Sequence, residues 1–228
     1  MNAHTELLPD PLPPEPLAVA NQWLGDAWQQ RLQPNPNAMV LATVDSAGRP
    51  SARVVLCKEI VPLPGYLVFY TNYQSRKGQE LDAGGRASIV IHWDHLHRQI
   101  RVEGRVVRGP SADSDAYFAS RPWQRRIGAW ASQQSQPIGS RDDLFAAVKA
   151  ASTKFGTPEP GREGADASDY AVPRPPHWGG YQLWADSVEL WVEGESRIHD
   201  RARWTRQLTA RADGTFDASA WSATRLQP

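Results

Sequence analysis

At 228 residues, 40% hydrophobic and 22% charged, the chain is long enough for one substantial core and short for two independent domains. Its 25 basic side chains cancel its 25 acidic ones, so no net field draws it to nucleic acid or an anionic membrane, and any bound anion must be held locally. The longest apolar stretch, about residues 38–44, falls far short of the roughly 20 residues a bilayer span needs; no basic-then-apolar leader opens the chain, and the single Cys57 has no internal disulfide partner, which together point to the cytoplasm.

Residues 1–15 are rich in proline and acidic side chains and read as a flexible N-terminal arm ahead of one domain over 16–228. From Pro16, Leu17, Ala20, Leu24, Ala27 or Trp28, and Leu32 recur at helical spacing, and Pro34 with Pro36 closes the segment. A strand-rich block follows. Residues 38–44 and 51–58, joined by Asp45-Ser-Ala-Gly48, read as a hairpin, with further strands over 66–71, 87–93 and 99–107. Short strands joined by tight turns, with helices at the margins, predict a mainly β fold with peripheral helices, closed as an antiparallel barrel.

Three helices are expected next: one capped by Ser111 and running to Ala119, one from Pro122, and one over 141–154. Residues 156–176 lack periodicity and read as a mobile loop. Strands return over 180–185, 187–192, 197–205 and 221–226.

Several constellations carry chemistry. In the strand expected from 197, alternation places Arg197, His199 and Arg201 on one face; the row serves solubility or meets a phosphate or an electron-rich ring. Ser75-Arg-Lys-Gly78 is a turn that either cradles a phosphate or is simply solvated. Tyr117 and Arg121 stack on one helix face, with Arg125 and Arg126 close behind, forming a phosphate clamp or an ordinary basic face. Arg53 and Lys58 fall on opposite strand faces because their spacing is odd; Lys58 is a ligand contact or an edge-strand lysine. His92, Asp94, His95 and His97 straddle a hairpin turn without cysteine partners, which argues against a metal site. Cys57, in an apolar strand, reads as a small core residue.

Taken together, Arg53-Val-Val-Leu-Cys-Lys58, Phe69-Tyr-Thr-Asn72 with Ser75-Arg-Lys77, Arg98-Gln99, Tyr117-Phe-Ala-Ser-Arg-Pro122, Ile127-Gly-Ala-Trp-Ala-Ser-Gln-Gln-Ser135, Leu190-Trp191, Arg197-Ile-His-Asp-Arg201 and Arg225-Leu-Gln-Pro228 resemble the pyridoxamine 5′-phosphate oxidase family. The resemblance covers about residues 16–228. It implies an FMN-binding split β-barrel, a homodimer whose two copies share each site at the subunit interface, and oxidation of pyridoxamine or pyridoxine 5′-phosphate to pyridoxal 5′-phosphate with O2 reduced to H2O2.

By the same resemblance, FMN is held by Arg53, Val54, Val55, Leu56, Cys57, Lys58, Tyr70, Thr71, Arg76, Lys77, Gln99, Gln134, Ser135, Trp191 and Arg201. The substrate phosphate goes to Lys58, Tyr117 and Arg121, and Arg125, where relatives carry a small hydroxyl residue, either strengthens the clamp or points to solvent. Arg197 and His199 meet the pyridine ring as the catalytic pair. The chain departs from the family pattern in lacking a basic N-terminal segment, its first Lys or Arg being Arg31, and in the length of its 156–176 loop. A phenazine-type FMN oxidase on the same scaffold is the rival enzyme, and a non-catalytic flavin or pyridoxal-phosphate binder is the rival from another class.

Overall fold

A computed structural model describes residues 6–161 and 170–228. The chain divides into two compact units. The first holds residues up to Phe69, Glu80–Val107 and Gln182–Pro228; the second holds Tyr70–Gln79 and Arg108–Tyr181.

The first unit is built on a sheet. Its strands are β1 (Ala38–Val44), β2 (Pro50–Leu56), β3 (Glu59–Val61), β4 (Tyr66–Asn72), β5 (Arg86–Trp93), β6 (Arg98–Arg108), β7 (Trp178–Val192), β8 (Asp200–Thr205), the short hairpin of β9 (Leu208–Ala210) with β10 (Phe216–Ala218), and β11 (Ser222–Leu226). β4 and β7 run on into the second unit. The sheet order is β11-β8-β7-β6-β5-β1-β2, with β3 on β4 and β4 on β7. β1 and β2 form the expected hairpin, in register from Ala38 opposite Leu56 to Val44 opposite Pro50.

Alternation explains why these segments are strands. Met39, Leu41 and Thr43 are buried while Val40 and Val44 face out, and Ile89, Ile91 and Trp93 repeat the pattern on β5. Each fully buried aliphatic side chain of this kind contributes about 1.5–3 kcal/mol. Helix α1 (Pro16–Gln30) adds Leu17, Ala20, Leu24 and Ala27 to the core, whereas Trp28 is exposed and Leu32, expected on the same stripe, lies exposed beyond the helix end. β7 was expected as two strands and is one. Its buried set changes from odd positions (Leu183, Ala185) to even ones (Val188, Leu190, Val192), and that phase change made one strand look like two.

Residues 6–15 form neither helix nor strand, yet they are tied down. Leu8 is buried and its N–H donates to Asp200 Oδ2 (2.7 Å). Arg225 bonds Asp200 Oδ1 (2.7 Å) and the Pro9 carbonyl, and Trp204 Nε1 donates to the Pro13 carbonyl (2.8 Å).

The second unit is helical. α3 (Ser111–Ala119), α4 (Trp123–Ala131) and α5 (Arg141–Phe155) lie where the sequence places them. α4 and α5 bury Trp123, Ile127 and Ala151 with Val172, against Trp130, Val148 and Phe155. α5 begins at Ser140, whose Oγ accepts from the Asp143 N–H, and ends at Gly156 in the left-handed region. Ser111 is not the cap expected of it: it is the first helical residue, and its hydroxyl turns to Asp115 and Arg174 instead. Of the loop expected over 156–176, residues 162–169 lie outside the described residues, while Val172 beyond them is buried.

Two expectations fail. The turn at Ser75-Arg-Lys-Gly78 is the start of a helix, α2 (Arg76–Gly84), which two glycines in nine residues concealed. The strand expected from 197 begins only at Asp200: Ser196 (φ 55°) and Arg197 (φ 65°) both adopt left-handed backbone in a short 3₁₀ turn, Glu195–Arg197, which breaks the extended chain. Arg197 and His199 are therefore not teeth of a strand comb.

Candidate active site

In the first unit, Arg53 projects from β2 toward a buried carboxylate. Its guanidinium meets Glu80 Oε2 (3.2 Å), the Leu41 carbonyl (3.2 Å), and the hydroxyls of Thr43 and Ser51. Glu80, 6% exposed, also accepts from both hydroxyls. A desolvated carboxylate saturated in this way holds the fork of Arg53 in one orientation. Val54, Val55 and Leu56 follow on β2, with Val54 facing out. Alternation stops at Leu56, so the odd spacing from Arg53 does not fix the side taken by Lys58. The Lys58 side chain is exposed and its N–H donates to the Val68 carbonyl. Cys57 is buried, and Asn37 engages both its N–H and its carbonyl. Burial pushes its thiol up to about 12, so it is no nucleophile.

Farther along the same sheet, Trp191 on β7 lies in register with Arg201 on β8. Arg201 Nε and Nη2 donate to Glu189 Oε1 (3.2 and 2.8 Å), a buried carboxylate that also receives Arg101. The imidazole of His199 sits against the Trp191 indole, ring centres 4.7 Å apart, and His199 Nδ1 accepts the Gly194 N–H at 3.2 Å. Trp191, His199 and Arg201 are thus brought together, with Arg197 exposed on the adjoining turn. Gln99 is half-buried on β6 opposite His92. The base of the turn is pinned by His97, which pairs with Glu193 through its ring and accepts the Glu193 N–H at its carbonyl (2.8 Å). No three His, Cys, Asp or Glu side chains converge as a metal site among the described residues.

The second unit gathers a different set. Lys77, buried in the first turn of α2, points its ammonium at Gln134 Oε1 (2.7 Å), Thr71 Oγ1 (3.2 Å) and Ser75 Oγ (3.2 Å). Ser75 Oγ accepts the Gly78 N–H and so caps α2. Arg76 is exposed on that same turn, and Ser135 follows Gln134 with φ 73°. Beside them Tyr70 stacks on Tyr117 (4.1 Å) and on Trp178 (5.4 Å), the rings nearly parallel. Arg121 lies over the Trp178 ring at 4.8 Å. Its Nη1 is enclosed and has no hydrogen-bond acceptor among the described residues. Burial lowers its pKa; Tyr117 opposes that shift, and the cations of Arg125 and Arg126 add to it. Arg125 itself is exposed.

Comparison with known proteins gives the chain a lineage. Residues 24–155 match a family model described as pyridoxamine 5′-phosphate oxidase, and residues 178–228 match one described as the pyridoxine 5′-phosphate oxidase C-terminal dimerisation region. The chain belongs to the pyridoxamine 5′-phosphate oxidase family. Among its relatives, the pyridoxine/pyridoxamine 5′-phosphate oxidase of Burkholderia cenocepacia is 46% identical over 215 residues, covering 94% of this chain and 90% of the relative. That of Paracoccus denitrificans is 45% identical over 224 residues, covering 94% and 95%. Among solved structures, PhzG from Burkholderia lata, in complex with tetrahydrophenazine-1-carboxylic acid, aligns with TM-score 0.79 at 30% identity over 96% of this chain and 95% of its own. A pyridoxamine 5′-phosphate oxidase-related, FMN-binding protein of Nostoc punctiforme aligns with TM-score 0.64 at 15% identity over 95% and 99%, which speaks to the fold alone. The fold is the split barrel of this family, and family membership makes the protein an oxidoreductase.

The residues present fit the flavin mononucleotide that the family implies. A buried ammonium bonded to three neutral oxygens, at the capped N-terminus of a helix, is donor chemistry suited to a phosphomonoester. Sequence reasoning missed Glu80, Glu189 and Trp178. The two carboxylates left no signal, because each meets its arginine through the fold. Trp178 did leave one: in the run Trp178-Gly-Gly180, a Cβ on Gly179 would lie 2.0 Å from the Tyr73 hydroxyl and one on Gly180 2.9 Å from the Tyr70 ring, so the glycines mark a close approach of backbone to aromatic rings.

Proposed function

We propose that the protein oxidises pyridoxamine and pyridoxine 5′-phosphate to pyridoxal 5′-phosphate with FMN as cofactor and O2 as acceptor. Pyridoxine phosphate and O2 give the aldehyde and H2O2; pyridoxamine phosphate also takes up water and releases ammonia. Bound FMN supplies the hydride acceptor and returns the electrons to dioxygen. It works as a homodimer in the cytoplasm; the dimerisation-region match over 178–228 supports the first of these, and no helix among the described residues is long and apolar enough to cross a membrane.

The residues divide the task. Lys77, Thr71, Gln134, Ser135, Arg76 and Tyr70 serve the flavin, as do Arg53, Val54, Val55, Leu56, Cys57, Lys58, Gln99, Trp191 and Arg201. Tyr117 and Arg121, with Lys58 and Arg125, take the substrate phosphate, whose oxygens suit the Arg121 Nη1 that has no acceptor among the described residues. Arg197 lays its planar fork on the substrate ring and His199 fixes that ring by a hydrogen bond, which sets the reacting carbon in place.

The observation that carries this reading is the grouping of His199 with Trp191 and Arg201 beside Arg197, since a protein that merely stores flavin needs no such groups for a second ring. The match to PhzG favours a second reading, a phenazine-type oxidase, on which the phosphate-seeking pair Tyr117 and Arg121 has no evident task. The purified protein decides between them. It should be yellow, or turn yellow with FMN, and convert pyridoxine 5′-phosphate to aldehyde with stoichiometric peroxide. Yellow protein inert toward both B6 phosphates would refute the assignment, and protein that never binds flavin would also end the rival readings.

A further inference from the structure

Gly194 has a backbone (φ −114°, ψ 155°) open to any residue, but its surroundings are not. A Cβ there would lie 1.7 Å from the Ile198 carbonyl oxygen and 3.2 Å from the His199 nitrogen. The turn folds back so tightly that the Ile198–His199 peptide packs on the Gly194 Cα. Two left-handed residues, Ser196 and Arg197, make the reversal, and the Ile198 N–H closes it on the Glu195 carbonyl (2.9 Å). This packing places the Gly194 N–H on His199 Nδ1.

A backbone N–H is only ever a donor, so the ring nitrogen it meets must present its lone pair. In the neutral imidazole the proton then sits on Nε2. The Trp191 ring, 4.7 Å away, backs the imidazole from one side, and Nε2 makes no hydrogen bond among the described residues.

We propose that Gly194 is a positioning residue that fixes His199 in the Nε2–H tautomer, so that His199 acts on the substrate as a hydrogen-bond donor and selects rings that present an acceptor atom to it. The tautomer follows from the turn alone; the role toward substrate rests on the function proposed above. A pyridine ring bearing an ionised oxygen is an acceptor of this class, and a ring offering only C–H or N–H to Nε2 is not.

Two measurements test this, and they fail separately from the proposed function. The first is a long-range ¹H–¹⁵N correlation spectrum of the FMN-loaded protein with ¹⁵N-labelled histidine, His199 being assigned by its loss in His199→Gln. A protonated Nε2 and a lone-pair Nδ1 are expected; the reverse tautomer, or an averaged mixture, overturns the proposal whether or not the enzyme turns over B6 phosphates. The second compares His199→Gln, whose amide N–H₂ reaches the ε position, with His199→Asn, whose amide reaches only the δ position. With pyridoxine 5′-phosphate, kcat/KM should fall about 10- to 100-fold further in the asparagine variant than in the glutamine variant, the worth of one hydrogen bond to a charged acceptor. Equal losses, or a better asparagine variant, would remove the donor role.

Discussion

The two units carry their cations in opposite ways. In the first, Arg53 is tied to buried Glu80 and Arg201 to buried Glu189, so each guanidinium is neutralised and aimed. In the second, Arg121 rests on an aromatic face, with further cations nearby. A cation locked to a carboxylate offers geometry, whereas one held over a ring keeps its charge for an anion. A guanidinium of the first kind suits the orienting of a ring, and one of the second kind the binding of a phosphate.

The sharpest way to break that contrast is Arg197→Lys. Charge survives and the planar fork is lost, so if geometry is what the first unit supplies, kcat should drop by about 100-fold or more while flavin absorbance is retained. Unchanged turnover would mean that charge alone sufficed. Next in size is Glu80→Ala, which strands a guanidinium that is only a fifth exposed. Stability to urea should fall by about 3 kcal/mol, the lower end for breaking a buried pair, and the protein should bind FMN more weakly because Arg53 is no longer aimed. Arg121→Ala probes the other unit. No carboxylate is orphaned there, so stability should change little, while KM for pyridoxine 5′-phosphate rises about 10- to 100-fold with kcat less affected. A large stability loss in that variant would show that Arg121 serves the fold rather than a phosphate.

How far the sequence could be read follows the same divide. Alternating apolar residues in β1 and β5 and the stripe of α1 were legible because core position and period are local properties of the chain. So was the family, through motifs such as Arg197-Ile-His-Asp-Arg201. What escaped was what the fold adds: the meeting of Arg53 with Glu80 across a sequence separation of 27, the 3₁₀ turn that lifts Arg197 and His199 off the strand, and a helix hidden under Gly78 and Gly84. Gly194 stood in plain view but carried no meaning until the Ile198 carbonyl was seen lying against it.

Cys57 gives the finest measure of how rigidly the first unit holds the end of β2. It stands between Leu56 and Lys58, yet its thiol is turned into the core and its peptide groups are bonded to Asn37. Burial raises its pKa from the ordinary 9.0 to about 12, so the native thiol stays neutral where the unfolded one ionises. The stability this confers is complete below pH 9 and is lost progressively between pH 9 and 12, at about 1.4 kcal/mol per pH unit. Cys57→Ala should therefore lose less stability than the parent between pH 8.5 and pH 10, by about 1 kcal/mol in urea titrations. In the parent, a thiol reagent at pH 8 should label Cys57 only as fast as the protein opens. Rapid labelling of the folded protein, or parallel pH profiles for the two proteins, would mean that this strand end breathes in the native state and that the order attributed to the first unit stops short of Lys58.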